Sequence, residues 1–394
     1  MIYDDIVIGG GISGLGYAYF KAQEKYQVLV LEKDNKPGGL CHSVYLDQKK
    51  DFWLEMGAHT LYNSYAHVID LIESLNLKEQ LLKRTKLPFR IYDKGQIHTL
   101  FRYINPISFI YGVIKLPFQD KTDQSVESYY GKLFGEGNYK RVLKDCFNAV
   151  LSQDAAKFPA EFLFNKKKRN DAYPRSFTLF QGISSLFDTL VEKKDFAIKL
   201  NHTVKMIEKS ADHWQVITNQ GVFKSKHITI ATDVLTASKL LSVVMPDISS
   251  LLGEVKLSTI DSVGVIFQRK DLVHFKVLAG LIAKDNASFY SMISRDVVEH
   301  ADYRGFVFHF KANAFNNKDA YLDFICQLLK VNKQALINSF FKENKVPILT
   351  VTHKKRLDKL QQLLHGKELS LTGNYFRRLA IEDCLAHSAQ LKLN

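Results

Sequence analysis

A glycine-rich turn between two short apolar runs, near the start of the chain, limits what this sequence can fold into more than any other feature. Asp5-Ile6-Val7-Ile8 is typical of a buried strand, residues 9–14 (Gly-Gly-Gly-Ile-Ser-Gly) of a tight turn, and residues 15–25 of a helix. Residues 27–31 indicate a second buried strand, which ends at Glu32. Together these elements form a βαβ unit and predict an α/β fold with a parallel sheet.

The spacing of the turn, Gly9-x-Gly11-x-x-Gly14, is the spacing that a dinucleotide site requires. The first glycine permits the turn, the second lets the backbone approach a pyrophosphate, and the third lets helix and strand pack closely. The helix that follows offers unpaired N–H groups to phosphate. Glu32 is placed to accept hydrogen bonds from ribose hydroxyls and would repel the 2′-phosphate of NADP. This unit alone does not separate FAD from NAD.

The rest of the chain contains hydrophobic patterns typical of helices and others typical of strands. Helices are predicted at residues 66–83, 177–192 and 319–342, and residues 124–165 are mainly helical. Alternating runs predict strands between residues 196 and 232 and between 255 and 312, and a strand at 369–373 precedes a helix that begins near Glu382.

Length and composition narrow the function class. The chain has 394 residues, enough for two domains, and its 46% hydrophobic and 24% charged residues are ordinary for a globular protein. No apolar run predicts a spanning helix, the acidic N-terminus is unlike a signal peptide, and four scattered cysteines predict reduced thiols in the cytoplasm. The net charge is +13, but its densest run, Lys166-Lys167-Lys168-Arg169, is short and no nucleic-acid-binding motif accompanies it, so we expect no nucleic-acid partner.

Other catalytic chemistries lack their sequence signals. HExxH, CxxC and clustered ligand patterns are absent, so we expect no metal site. GxSxG is absent too, which removes the usual signal of a hydrolase. We interpret the paired carboxylates Asp4 and Asp5, at the start of the first strand, as solvated.

Three later motifs resemble the superfamily of flavin amine oxidases and protoporphyrinogen oxidases, which also contains phytoene desaturases and UDP-galactopyranose mutases. They are Pro37-Gly38-Gly39-Leu40-Cys41-His42, Gly57-Ala58-His59, and Leu371-Thr372-Gly373-Asn374 with Ala380-Ile381-Glu382-Asp383. The resemblance implies FAD as the cofactor and an α/β fold. In that fold a Rossmann-type FAD-binding domain accompanies a discontinuous α+β substrate domain with a mixed sheet and helices.

The resemblance also implies which residues hold FAD. It places the second glycine pair along the pyrophosphate, the Gly-Ala-His segment beside the isoalloxazine, and the start of the last helix near the flavin O2. The predicted FAD-binding residues are Gly9, Gly11, Ile12, Ser13, Gly14, Glu32, Lys33, Gly38, Gly39, Leu40, His42, Gly57, Ala58, His59, Val204, Ala231, Gly373, Asn374, Ala380 and Ile381.

The sequence departs from the family pattern at two places. The family often has arginine where this chain has His42, and Arg377-Arg378 replaces a Gly-Gly pair of the protoporphyrinogen oxidases. The second departure disfavours protoporphyrinogen as the substrate. Because arginine binds planar anions well, we take Arg377 and Arg378, together with His59, as the candidate catalytic residues. His353 is interpreted as a polar surface histidine.

The family pattern divides the chain into two discontinuous domains. The FAD-binding domain is predicted at residues 1–75, 193–250 and 366–394, and the substrate-binding domain at residues 76–192 and 251–365. We expect the active site between them. The predicted activity is an FAD-dependent oxidoreductase that transfers a hydride from a small organic substrate to flavin N5. Three alternatives stay open: a non-redox mutase or isomerase, a non-catalytic FAD-binding partner, and a nicotinamide-dependent dehydrogenase.

An aromatic, proline-marked stretch at residues 101–118 belongs to the predicted substrate domain. We favour a helix that packs on its sheet. The alternatives are a pocket for an apolar, aromatic or anionic substrate, and contact of the positively charged chain with an anionic bilayer. Neither the identity of the substrate nor the oligomeric state follows from the sequence.

Overall fold

The computed structural model describes residues 1–164, 166–193, 195–376 and 378–391. Its strands are β1 (Ile2–Ile8), β2 (Val28–Leu31), β3 (Ser43–Tyr45), β4 (Trp53–Glu55), β5 (Leu61–Tyr62), β6 (Leu81–Lys83), β7 (Phe89–Asp93), β8 (Gln96–Thr99), β9 (Ser176–Leu179), β10 (Ala197–Lys199), β11 (Val204–Lys209), β12 (Trp214–Thr218), β13 (Gly221–Ile230), β14 (Leu257–Gln268), β15 (Gly280–Ala283), β16 (Phe289–Ser294), β17 (Tyr303–Lys311), β18 (Leu336–Pro347) and β19 (Leu369–Leu371).

The helices follow the same order along the chain. They are α1 (Ile12–Gln23), α2 (Ala66–Ser74), α3 (Pro106–Lys115), α4 (Val126–Phe134), α5 (Glu136–Asn138), α6 (Lys144–Leu151), α7 (Ser184–Glu192), α8 (Val234–Leu241), α9 (Pro246–Gly253), α10 (Lys318–Leu329), α11 (His353–Leu364) and α12 (Ile381–Gln390). A π-helical turn at Tyr139–Leu143 joins α5 to α6. Among the described residues, no helix combines the length and the hydropathy needed to cross a bilayer.

The first large sheet is built around β1. Its strand order is β10-β2-β1-β13-β12-β11, and β19 pairs with the end of β13. The strands β10, β2, β1, β13 and β19 run parallel, whereas β11 and β12 form an antiparallel extension. Both faces of the parallel part are covered: Ile6 and Leu29 pack into one core cluster, and Val7 and Val30 into another. The predicted α/β class is confirmed.

The second large sheet is mixed and has the order β18-β14-β17-β16-β15-β7-β8. Its pairs are antiparallel except for β15 with β7. One face packs α10 through an aromatic cluster that contains Phe289, Phe306, Phe308 and Phe310. These phenylalanines therefore pack in an ordinary hydrophobic core.

The strands of the two large sheets fall within the segments predicted for the two domains. Helix α7 differs, because Leu186 and Phe187 pack in the core cluster of Val7 and Leu15 although the sequence assigns α7 to the substrate segment. The small sheet β5-β9-β6 likewise joins strands from both predicted segments. The exact division into domains stays a prediction.

Three predicted helices are shorter than the sequence indicates. The first ends at Ser74, the second begins only at Ser184, and the third ends at Leu329; strands β6, β9 and β18 take up residues that were predicted to be helical. Each prediction is wrong for the same reason: in a short apolar segment, the hydrophobic pattern does not distinguish a helix, with a period of 3.6 residues, from a strand, with a period of 2.

Left-handed residues mark where these helices stop or start. Asn76 and Lys330 lie just beyond α2 and α10, with φ angles of 56° and 54°. Gly182 precedes α7 with φ of 79°, and a Cβ atom there would lie 2.5 Å from Ser43 Oγ. Only glycine fits this turn between β9 and α7.

Candidate active site

The first glycine turn lies at the carboxyl edge of the parallel sheet. Gly9 has φ of 109°, and a Cβ atom there would lie 2.8 Å from Ala231 O. A Cβ atom on Gly14 would overlap Gly9 O. Gly11 differs, because a Cβ atom there would meet nothing within 4 Å. Packing therefore requires two of these glycines, whereas Gly11 borders the open space in which a phosphate group would lie.

Helix α1 begins at this turn with N–H groups that no side chain caps. Glu32 is buried beside the turn, where its Oε2 accepts from Gly10 N–H at 2.5 Å and its Oε1 accepts from Asp34 N–H at 2.9 Å. These bonds fix the carboxylate and leave further lone pairs to accept ribose hydroxyls. The uncapped helix and the acid together suit an adenosine diphosphate group.

The second glycine pair packs on the first turn. Gly38 N–H donates to Gly10 O at 2.8 Å, and Gly38 and Gly39 have φ angles of 115° and 60°. Lys342 of β18 donates to Gly39 O at 2.7 Å, so the second sheet also touches this turn. Burial lowers the pKa of Lys342 to about 8, which leaves the amine mostly charged at neutral pH. It is a suitable partner for a pyrophosphate.

The last elements of the chain complete the same region. Gly373, just after β19, has φ of 148°. Helix α12 begins at Ile381 with Ala380 as an N-cap residue that makes no side-chain hydrogen bond. A second uncapped helix N-terminus therefore faces the cleft with its positive dipole end.

These elements enclose a cavity of about 520 Å³, here called the nucleotide cavity. The predicted residues that line it are Gly9, Gly11, Ile12, Ser13, Glu32, Lys33, Gly39, Leu40, Ala58, Val204, Ala231, Gly373, Asn374 and Ile381. Gly14 and Gly38 shape the turns behind the wall. His42 is half-buried outside the lining, where burial and the nearby Lys342 lower its pKa to about 4. A contact of His42 with the cofactor stays a prediction.

A second cavity, also of about 520 Å³ and here called the apolar cavity, adjoins the first. Most of its wall is aliphatic or aromatic: Ala149, Val150, Leu151, Phe158, Phe162, Leu163, Phe164, Ile260 and Val346. Among the predicted residues, Gly57, His59 and Ala380 lie in this wall. The two cavities share the wall formed by Leu40, Ala58, Asn344, Leu379 and Ile381. They therefore meet as two parts of one cleft.

His59 faces the apolar cavity. Its Nδ1 and Thr60 Oγ1 share a hydrogen bond of 2.7 Å, and its backbone O accepts from Arg84 at 2.8 Å. Burial, with Arg84 and His309 nearby, lowers the pKa of His59 to about 3. The ring is therefore neutral at pH 7, so it can take part in hydrogen bonds but is not a cationic acid.

The structure adds polar residues that the sequence analysis missed. Ser262 Oγ hydrogen-bonds His309 Nδ1 at 3.0 Å and Asn344 Nδ2 at 2.9 Å, and Asn344 Nδ2 also donates to Met56 O. Burial lowers the pKa of His309 to about 4. Asn344 Oδ1 is buried without a partner at the shared wall. Such an atom is costly unless a bound group donates to it, so it suits a donor of the cofactor or substrate.

Three charged side chains lie in the wall of the apolar cavity. Asp383 Oδ1 is 2.7 Å from Lys167 Nζ and 3.6 Å from Arg378 Nη1. Arg378, a candidate from the sequence, is therefore at the cavity, whereas Arg377 lies outside the described residues. The three side chains carry a formal charge of +1.

Two interpretations from the sequence are wrong. His353 is buried, with Nε2 2.5 Å from Tyr375 O and Nδ1 3.2 Å from Arg356 Nη1. Asp5 is also buried, and its Oδ2 accepts from Tyr17 OH at 2.7 Å and is 3.0 Å from His227 Nδ1. Both residues hold elements of the fold together rather than meet solvent.

The residues present fit FAD. The open space at Gly11 and the uncapped α1 suit its pyrophosphate, Glu32 suits its ribose, and Asn344 Oδ1 suits an N–H donor where the two cavities meet. Among the described residues, no group of three or more His, Cys, Asp or Glu side chains is placed to hold a metal ion.

Comparison with known proteins identifies a family. The family model described as flavin containing amine oxidoreductase matches residues 12–292, well over half of the chain. Pseudooxynicotine dehydrogenase from a Pseudomonas species is 21% identical over 263 residues, which are 59% of this chain and 52% of that protein. The chain spans about half or less of the length of the curated relatives it matches.

Solved structures share the fold along nearly the whole chain. A protein from Exiguobacterium sp. 255-15, provisionally described as a protoporphyrinogen oxidase, gives a TM-score of 0.80 at 16% identity and covers 98% of this chain and 96% of its own. A fatty acid isomerase from P. acnes gives 0.75 at 12% identity, with 98% and 97% covered. At these identities the likeness shows the fold alone.

Proposed function

Because the chain belongs to the family of flavin-containing amine oxidoreductases, with FAD as its cofactor, we propose that it oxidises a small organic molecule whose apolar body occupies the apolar cavity. The observation that carries this proposal is the wall shared by the two cavities, formed by Leu40, Ala58, Asn344, Leu379 and Ile381. A molecule in the apolar cavity would abut whatever ring ends at that wall. Bound FAD supplies a two-electron acceptor that takes a hydride at its N5 atom.

The apolar wall holds the substrate and keeps water away from the reacting carbon. Phe158, Phe162 and Leu163 offer no hydrogen bond to a polar substrate, so binding energy comes from burial of apolar surface. Neutral His59 and neutral His309 add hydrogen-bonding groups without adding charge. These residues position a substrate, and neither histidine acts as a cationic proton donor.

The charged residues of this cavity select against cations. Lys167 and Arg378 together outnumber Asp383, which contacts both of them. A protonated amine would be repelled, whereas a carboxylate would find a bidentate partner in Arg378. We therefore propose a neutral or anionic substrate rather than a cationic amine.

A matched substrate series tests this proposal. Anaerobic bleaching of the flavin absorbance would be followed with molecules of one apolar skeleton that end in a carboxylate, an alcohol or a primary amine. We expect bleaching with the acid or the alcohol and at least tenfold slower bleaching with the amine. Replacement of Arg378 by glutamine is expected to raise the concentration that gives half the maximal bleaching rate more for the acid than for the alcohol. Bleaching by the amine alone would refute the proposed charge selectivity.

A non-redox isomerisation is the second candidate. An apolar cavity with a cationic residue suits a fatty acid as well as an oxidisable molecule, and the fatty acid isomerase from P. acnes shares the fold. Product formed from an unsaturated acid without oxygen consumption or net flavin reduction would favour the isomerase. If no molecule bleaches the flavin or is converted, a non-catalytic FAD-binding role is the better explanation.

A further inference from the structure

Helix α3 carries its apolar stripe on the outside. Ile107, Ile110, Tyr111, Ile114 and Phe118 are 57–83% exposed, and their spacing of 3, 4 and 7 residues with Phe118 beyond places them along one side. Phe101 and Val113 are exposed beside them. The apolar stripe of a helix in a water-soluble protein usually faces the core. An exposed stripe of this kind indicates an interaction surface.

The inner side of α3 is fixed by close packing. Phe109 stacks on Phe134 of α4 with ring centroids 4.9 Å apart, and a Cβ atom on Gly112 would lie 2.5 Å from Leu133 O. Asn105 caps the helix by accepting from the N–H groups of Ile107 and Ser108. The helix therefore cannot roll its apolar stripe inward without losing these contacts.

The same region reaches the mouth of the apolar cavity. A chain of ring contacts runs from α3 to the cavity wall through Phe109, Phe134, Tyr130, Phe147 and Phe164, with centroids 4.5–6.2 Å apart at each step. Phe164 lines the cavity and is itself exposed. The outer surface of α3 and an exposed edge of the cavity thus belong to one packed unit.

Cations lie at the end of α3 and follow Phe164 in the chain. Lys115 ends α3, and its Nζ lies 4.2 Å from the ring of Tyr111. Lys166, Lys168 and Arg169 are exposed just after Phe164 in the chain. Asp120 is the nearest acid in the sequence, and its Oδ1 accepts hydrogen bonds from Thr122. An apolar stripe that ends in a lysine, on a chain with a net charge of +13, matches the polarity of an anionic lipid surface.

We propose that the outer surface of α3 docks this protein on the surface of an anionic lipid bilayer, with Ile110 and Ile114 in the acyl boundary and these cations at the headgroups. A second copy of the chain fits this surface less well, because two copies that meet face to face would bring the same cations together. The net charge of +13 increases that repulsion and strengthens attraction to anionic lipid. Docking does not depend on which reaction the apolar cavity performs.

Vesicle co-sedimentation of the FAD-loaded protein tests the proposal. The probes are vesicles of phosphatidylcholine alone and vesicles in which about a third of the lipid is phosphatidylglycerol. The test variant is Ile110→Gln with Ile114→Gln, and the matched control is Val243→Gln with Val273→Gln, whose valines are exposed at distant points of the chain. Flavin content and size-exclusion elution show that each variant is folded.

The proposal predicts that the protein binds the anionic vesicles, that the α3 variant partitions at least tenfold more weakly, and that the control is unchanged. Binding should weaken in 1 M salt and be poorer to phosphatidylcholine alone. No binding by the wild-type protein, or equal binding by the α3 variant, would overturn it. A dimer that the α3 variant dissociates, without vesicle binding, would assign the surface to a second copy instead. Because no turnover is measured, these outcomes are independent of the proposed oxidation.

Discussion

Gly11 and Gly14 stand three residues apart in one turn, yet a methyl group would have opposite consequences at the two positions. At Gly14 it would collide with backbone that is already present, whereas at Gly11 it would enter empty space beside the uncapped helix α1. We therefore expect a substitution at Gly14 to reduce stability and a substitution at Gly11 to reduce cofactor binding.

We predict that Gly11→Ala lowers the bound FAD at least tenfold and leaves the melting temperature of the cofactor-free protein within about 2 °C of the wild type, because the added methyl group enters the phosphate space without a clash. Absorbance at the flavin bands and thermal melts of the stripped protein measure the two effects. Gly131→Ala is the control, since its Cβ atom also meets nothing within 4 Å and lies far from the cavity in the chain. Normal flavin content in Gly11→Ala would contradict the placement of the pyrophosphate.

Single residues also show what the sequence can and cannot reveal. The position of the glycines and Glu32 at one turn was predictable because it depends on backbone geometry within one βαβ unit. Asn344 and His309 were not, because their positions in the site arise where β14, β17 and β18 come together beside the apolar cavity. The only local hint was a histidine between two phenylalanines in Phe308-His309-Phe310.

At the scale of elements, helix α12 caps helix α2 from outside. Helix α2 has no side-chain cap of its own, and the carboxylate of Glu382 accepts from the N–H groups of His67 and Val68, each at 3.2 Å. The hydrogen bond from His67 Nδ1 to Glu382 raises the pKa of His67. The end of the chain is thus tied to the helix that follows the Gly-Ala-His segment.

Replacing Glu382 by alanine is expected to reduce the free energy of unfolding by about 1–3 kcal/mol, because two backbone N–H groups lose their acceptor. Urea denaturation of the FAD-saturated protein at pH 7 is the measurement. Glu79→Ala removes an exposed carboxylate and should change stability by less than about 0.5 kcal/mol. Equal stability of both variants would show that the cap contributes nothing.

Helices and strands were predictable where the hydrophobic residues follow a single period. The buried strands β1 and β2 and the strand–glycine–helix order near the end of the chain follow from the sequence alone. The boundaries after α2 and α10 did not: asparagine favours the left-handed conformation that Asn76 adopts but is common elsewhere too, and lysine does not favour the one that Lys330 adopts.

At the scale of the whole molecule, burial keeps several histidines neutral. Burial lowers the pKa of His309 to about 4, and burial with Arg356 nearby lowers that of His353 to about 4. Unfolding would return both to their ordinary value of 6.5. Between pH 6.5 and 4 the unfolded chain therefore binds more protons than the folded one, so stability must fall as pH falls through this window.

Each of these two histidines should cost about 2 kcal/mol of folding free energy at pH 5 relative to pH 7. We predict that His353→Gln, whose amide can still donate to Tyr375 O, shrinks the difference in unfolding free energy between pH 7 and pH 5 by about that amount. Denaturant titrations at the two pH values, with FAD in excess, provide the test. An unchanged difference would mean that His353 is already protonated in the folded protein.

The pairing of β19 with β13 has a consequence for synthesis. Residues 228–230 of β13 pair in parallel with β1 on one side, but their partner on the other side is β19, at residues 369–371, and α12 follows it. A nascent chain therefore carries β1, the first glycine turn and an unfinished sheet edge for most of its translation. We expect that a polypeptide released before residue 369 would lack β19 and the cavity-lining Gly373 and Ile381, and would therefore hold FAD poorly.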